Sequence, residues 1–457
     1  MHKPVRLIVL SAVSAWVILL TGCGPSGPVT LALAPPGPAD LGAAAGLSTP
    51  PPGAAVFDLE YLPQRGGADD LQYNSFWGFG GPDNEAKNDS FLSDVRKKAG
   101  KLYNVYNPSF TGRKWSAIEY HGRQVSALYF DVNGDGKLGD NERIAPTRKI
   151  ERGFEFITPD FLTPLENGGQ TLCRALLQVN FWSGNSEPNC MWSPGAVLSG
   201  RATLNGKAAR LLLYASGPGR GFDQYGASRY ALLLGETNVK PGAYVSREDL
   251  STLISSEGEF YRLTIEGRRS NGLPARALIV KDTAPTGTLS VKLASTNSLR
   301  ASVPSLYLHG VNDKTVFFRV SAAKEKVTLP VGTYALNNGL LSYGTSNPGD
   351  WEVSFTKGPW ATIKAGEAFE VALGEPALKV RAVEERNRWD SEAVDCSSFK
   401  RGAQIYLEPR IVGKGFEVFS RFREPRVDSG LKADRPPKVT ITGPDGKQLV
   451  SATMEYG

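Results

Sequence analysis

Apolar and β-branched residues in this chain come in short runs, each closed by Gly, Pro or Asn. Eleven such runs stand out: Ser126–Phe130, Ala175–Trp182, Ala209–Ala215, Tyr230–Leu234, Phe260–Ile265, Leu289–Leu293, Thr315–Val320, Trp351–Phe355, Phe369–Leu373, Gln404–Leu407 and Lys438–Ile441. They are four to eight residues long, the usual length of a strand. With turn residues between them, they favour sandwiches or barrels over alternating strand–helix units. Two stretches read as short helices. Asn88–Lys101 predicts one starting near Asp89 or Ser90, and Ser246–Ser256 predicts a second with Ser246 as its cap. The expected fold class is therefore mainly β and multi-domain: antiparallel sandwich or immunoglobulin-like modules with one or two short helices.

Punctuation divides the chain. A polar, turn-rich segment at Lys281–Gly287 and the tripeptide Gly374-Glu375-Pro376 separate a larger β-rich unit, 55–282, from two smaller ones, 283–375 and 376–457. The last unit ends in a clear hairpin pattern, with Lys438–Thr442 and Gln448–Met454 flanking Gly443-Pro444-Asp445-Gly446. That ending resembles the terminal strand pair of immunoglobulin-like modules in bacterial surface proteins.

Composition narrows the classes. Gly and Pro together make about 18% of the 457 residues, above the usual ~12%, which argues against long helices and coiled coils. A net charge of +6 on this length is weak, and no basic block or zinc-finger spacing appears, so nucleic acid is not an expected partner. Three histidines leave little for a histidine-rich metal enzyme.

The N-terminus carries an address. Lys3 and Arg6 precede an apolar run of 14 residues, Leu7–Leu20, short of the ~20 a spanning helix needs but typical of a secretory signal. It ends in Leu20-Thr21-Gly22-Cys23, which resembles the lipobox of bacterial lipoproteins. The resemblance implies a signal peptide over 1–22, acylation of Cys23, and a lipid bilayer as partner. Gly24 in place of Asp implies outer-membrane sorting if the cell is Gram-negative. Residues 24–54 hold eight prolines among Gly and Ala with almost no charge, so 23–54 reads as the acylated Cys and a tether.

The sharpest chemical pattern is Asp131-Val132-Asn133-Gly134-Asp135-Gly136-Lys137-Leu138-Gly139-Asp140-Asn141-Glu142. It resembles the twelve-residue loop of the EF-hand family. The resemblance assigns Ca²⁺ to the side chains of Asp131, Asn133, Asp135 and Glu142 and to the carbonyl of Lys137, with Gly136 at the sharp turn and Leu138 packing inward. The flanks depart from the family: Val125–Phe130 reads as a strand, and Pro146 stops any exiting helix. An isolated calcium loop between β elements is expected, with a solvated Asp/Asn/Gly turn as the blander alternative.

Cys173 and Cys190 bracket 16 residues. In an exported protein they are expected to form a disulfide, or else to be small buried apolar residues. Cys396 is then left over. No nucleophile elbow, phosphate loop, dinucleotide fingerprint or HExxH appears. His121 and His309 read as surface and strand-end residues, and carboxylate pairs such as Asp249 with Glu257 or Glu384 with Asp390 are guesses. Trp77, Trp182, Trp192, Trp351 or Trp360 would make a sugar-binding platform if exposed. The expected function is a calcium-binding, membrane-anchored lipoprotein of the cell envelope, surface-exposed or periplasmic, serving as a non-enzymatic structural or binding module, with a glycan or an envelope protein as the candidate ligand. The alternative is a secreted hydrolase acting on polysaccharide or another envelope polymer.

Overall fold

Strands that alternate in burial, and others covered on both faces, make up nearly all of the regular structure. The computed structural model describes residues 44–64, 76–80, 86–107, 110, 112–165, 169–181, 187–235, 237, 245–294, 300–320, 326–344, 351–383, 406–423, 438–442 and 445–453. They form a mainly β, multi-domain structure of several antiparallel sheets, one of them nearly a barrel. The expected signal peptide, Cys23, Cys396 and most of the tether lie outside the described residues.

The near-barrel positions the candidate site. Its nine strands run in the order Arg143–Ile144, Gln124–Phe130, Trp115–His121, Leu102–Tyr106, Phe76–Gly80, Asn189–Pro194, Ala175–Asn180, Gly153–Ile157 and Arg148–Ile150. The strands at both ends come from one stretch of chain, so the sheet curls until Gln124–Phe130 touches Gly153–Ile157. Phe110, Phe130, Phe156, Phe161 and Trp192 fill the interior. The Phe110 and Trp192 rings meet edge-on at 5.1 Å. The Trp192 indole N–H donates to Asn107 Oδ1 at 3.0 Å, which satisfies its polar end inside the core.

The helix Ser90–Lys98 lies where the sequence places it. Asp89 caps it, accepting the Leu92 N–H at 3.0 Å, and Arg96, Lys97 and Lys98 occupy the last turn, where cations suit the helix dipole. Phe91, Leu92 and Val95 form its buried face against Trp115, Ala117, Ala127 and Tyr129 on the outside of the curled sheet. Each such side chain contributes roughly 1.5–3 kcal/mol by burial.

The second expected helix is not a helix. Ser246–Ser256 holds two short strands, Glu248–Asp249 and Leu253–Ser256, paired with Arg229–Leu234 and Glu259–Arg269. Leu250, Leu253 and Ile254 are buried at a spacing that mimics a helical face, and pairing with neighbouring strands overrides it.

Two five-stranded sheets enclose a second core around Phe57, Leu198, Leu211, Tyr261 and Ile279. The end of the expected tether is built into this unit. Ala44 and Ala45 pair with Arg269 and Arg268, and the Ser48 hydroxyl donates to Glu266 at 2.6 Å.

A third core, with Leu289, Leu306, Leu336, Phe355, Leu373 and Phe419, lies between a three-stranded sheet and an eight-stranded one. The three-stranded sheet contains a parallel pair, Thr286–Ala294 with Ala368–Gly374. Residue 375 does not divide this unit. The strand Val418–Arg423 pairs with Trp351–Lys357, and Glu375, at φ 48°, lies in the two-residue link between the strands Ala368–Gly374 and Ala377–Val383. Leu253 from the preceding unit also enters this core. Lys438–Thr442 and Gln448–Thr453 pair as the expected terminal hairpin. Among the described residues no helix is long and apolar enough to cross a membrane.

Candidate metal centre

The strand Gln124–Phe130 delivers the chain into the loop 131–142. Two glycines in the left-handed region, Gly134 at φ 76° and Gly136 at φ 73°, allow the backbone to coil tightly, a conformation that costs glycine little. The coil aims backbone N–H groups at the loop's own side chains. Asp131 accepts from Gly134 at 2.6 Å and Gly136 at 3.0 Å. Asn133 accepts from Asp135 at 2.9 Å, and Asp135 accepts from Lys137 at 2.8 Å. Glu142, on the turn Asp140–Glu142, reaches back to the N–H groups of Val132 at 3.0 Å and Asn133 at 3.3 Å, and also accepts from Gly139.

Asp131 and Glu142, at the two ends of the loop, are buried, whereas Asn133, Asp135 and Lys137 are exposed. Leu138 packs against the cluster that holds the helix Ser90–Lys98, and Ser90 donates its hydroxyl to the Gly136 carbonyl at 2.8 Å. Underneath lies the buried guanidinium of Arg113, which donates to the carbonyls of Asp131 at 2.6 Å and of Val132 and Leu162 at 3.0 Å. It stacks over the Phe161 ring at 5.0 Å. Burial pulls the Arg113 guanidinium below its ordinary value, opposed chiefly by Asp131 and less by Glu142.

The donor chemistry fits a hard cation: carboxylates and one amide oxygen at alternate positions around a glycine turn. A carboxylate offers about four acceptor directions, so the backbone bonds leave capacity on Asp131 and Asp135 and some on Glu142. The side chains do not gather in the structure. Among the described residues no three His, Cys, Asp or Glu side chains come together as a metal cluster.

The expected Cys173–Cys190 disulfide is corrected: both are free, buried thiols. The chain between them forms a hairpin in which Ala175 pairs with Pro194 and Val179 with Cys190. Ala175 to Val179 alone spans about 13 Å of extended chain, and Cα atoms beyond ~7 Å cannot be bridged. Burial pushes the Cys173 thiol up to about 12 and raises Cys190 as well.

The remaining candidates scatter. His121 is exposed, and His309 sits beside Phe317. Glu257 pairs with Lys207 at 2.7 Å. Trp192 is core and Trp360 is exposed; the side chains of Trp77, Trp182 and Trp351, and Glu384 and Asp390, lie outside the described residues. Glu248 and Asp249 line a pocket with Tyr307, His309, Phe317 and Arg319. Burial raises both carboxyls, countered by Arg319 at Glu248 and by Arg229 at Asp249. They come from one wall as consecutive residues of one strand. No family model matches this chain, nor does any curated protein or solved structure.

Proposed function

We propose that this chain is a lipid-anchored, non-enzymatic β-rich protein of the cell envelope in which residues 131–142 take one calcium ion as a structural clip. The observation that carries it is the burial of Asp131 and Glu142 at both ends of an oxygen-lined loop. Of the loop's charged groups, Asp131 and Glu142 are the buried ones, and the buried guanidinium of Arg113 beneath offsets one of their two negative charges. Leaving the other buried and unbalanced is unfavourable, and a divalent cation would balance it. Asp131, Asn133, Asp135, the Lys137 carbonyl and Glu142 would hold the ion. Its binding would stabilise the folded chain alone, at the roughly 10⁻⁴–10⁻³ M affinity of extracellular sites.

The anchor rests on Leu20–Cys23, and a Cys23→Ser chain is expected to leave the membrane fraction. An immunoglobulin-like arrangement of the C-terminal half belongs to the same reading, supported by two sheets sharing one core. A hydrolase would need two carboxylates facing across a cleft, and Glu248 with Asp249 does not supply that arrangement. Calorimetric titration of a chain starting at residue 44 tests the calcium assignment. One site is expected, lost in Asp135→Ala, whose exposure spares the fold; no binding heat at millimolar calcium would refute it.

A further inference from the structure

The curled sheet stops short of closing. Gln124–Phe130 is paired along one side with Trp115–His121, but on the other side, among the described residues, only Leu128 and Tyr129 are matched, to Ile144 and Arg143. At the far end of the sheet, Arg148–Ile150 pairs only with Gly153–Glu155 among the described strands. Between the unmatched start of one strand and the edge of the other lies a cleft of about 370 Å³. Ligand sites favour the mouths of barrels and are of this size, about 300–1,000 Å³.

The cleft's chemistry is one-sided. Phe154 and Phe181 form an apolar floor, and Arg123, Lys149 and Arg152 stand around it with Gln124. The one carboxylate on the rim, Glu151, is 3.9 Å from Arg152. Among the described residues neither Arg123 nor Lys149 has an ion-pair partner. Arg148, next to Lys149, is committed elsewhere: it grips buried Glu155 through two bonds of 2.7 and 2.9 Å. The tip carrying Arg152 is fixed by its carbonyl, which accepts the Phe181 N–H at 2.8 Å.

We propose that this open seam binds an acidic sugar unit, a pyranose ring carrying a carboxylate or a phosphate. Guanidinium and ammonium groups on two hairpin tips would hold the anion through charge-assisted bonds. The exposed parts of Phe154 and Phe181 would give the ring's C–H face an apolar surface, and Gln124 and Glu151 offer partners for hydroxyls. A concave site with a floor selects a discrete anionic unit over the plane of a bilayer. The inference does not depend on calcium, because the cleft and the loop 131–142 lie at opposite ends of Gln124–Phe130, about 20 Å apart.

The test titrates the full chain carrying Cys23→Ser with oligogalacturonate, glucose 6-phosphate, a neutral galactan oligomer and phosphatidylglycerol vesicles. Saturable binding of at least one of the two anionic sugars is expected, weakening as salt rises, with no binding of the neutral oligomer. The triple change Arg123→Ala, Lys149→Ala, Arg152→Ala removes only exposed side chains and is expected to lower affinity roughly tenfold or more. Lys149→Glu alone is expected to act in the same direction. Failure of both anionic sugars to bind, unchanged affinity in these variants, or binding confined to vesicles would overturn the proposal.

Discussion

The Nε–H of Arg113 donates to the carbonyl oxygen of Asp131 at 2.6 Å, tying the first residue of the acidic loop to a segment eighteen positions earlier. The same guanidinium serves the carbonyls of Val132 and Leu162, so one buried side chain holds the loop floor to the barrel wall.

Replacing Arg113 with Met keeps most of the volume and leaves these carbonyls without their charged donor. Buried acceptors left unpaired are expensive, and the expected loss is about 2–4 kcal/mol in urea unfolding. A change below about 0.5 kcal/mol would show that the guanidinium is not what holds the loop floor.

Arg113 also marks the limit of sequence reading. The loop was legible because side-chain oxygens at 131, 133, 135 and 142 and a glycine at 136 form a local pattern. Nothing in Thr111-Gly112-Arg113-Lys114 says which of two basic residues turns inward. The cleft was hidden for the same reason: Arg123, Lys149 and Arg152 meet only because the sheet curls. Strands rich in β-branched and aromatic residues, and the helix capped by Asp89, were readable from local chemistry. The long strand Gly332–Gly344 was not, because Asn337-Asn338-Gly339 resembles a turn. It forms instead a bulge opposite Tyr307 and Leu308, where a Cβ on Gly339 would sit 2.5 Å from the Phe355 ring.

The two barrel cysteines provide a chemical check. Burial raises both thiols, so the reactive thiolate is scarce. Peptide mapping is expected to show Cys173 and Cys190 unmodified by iodoacetamide in the native chain. Both should be alkylated after denaturation without reductant. A native mass two hydrogens lighter, with neither cysteine labelled after denaturation until reductant is added, would contradict the hairpin register.

Glu248 ties stability to pH. Burial raises its carboxyl above the ordinary 4.5, with Asp249 adding to the shift and Arg319 and Arg229 opposing it; His309 and Tyr307 complete the charged and polar surroundings. The folded chain therefore holds this proton to higher pH than the unfolded chain does. Its contribution to stability is full below the unfolded value, falls as pH rises through the window up to the raised value, and is level above it. Glu248→Gln is expected to flatten that part of the curve of urea midpoint against pH; an unchanged slope would assign it to other groups, Asp249 first.

Thermal unfolding with and without calcium bears most directly on the clip. With the chain starting at residue 44, millimolar calcium is expected to raise Tm, because an ion bound only by the folded state adds to its stability. Magnesium is expected to do less, since it demands a tighter octahedron. In Asp135→Ala the calcium-dependent rise should vanish while Tm in chelator stays near that of the parent. An equal Tm with calcium and with chelator in the parent chain would contradict a calcium clip at 131–142.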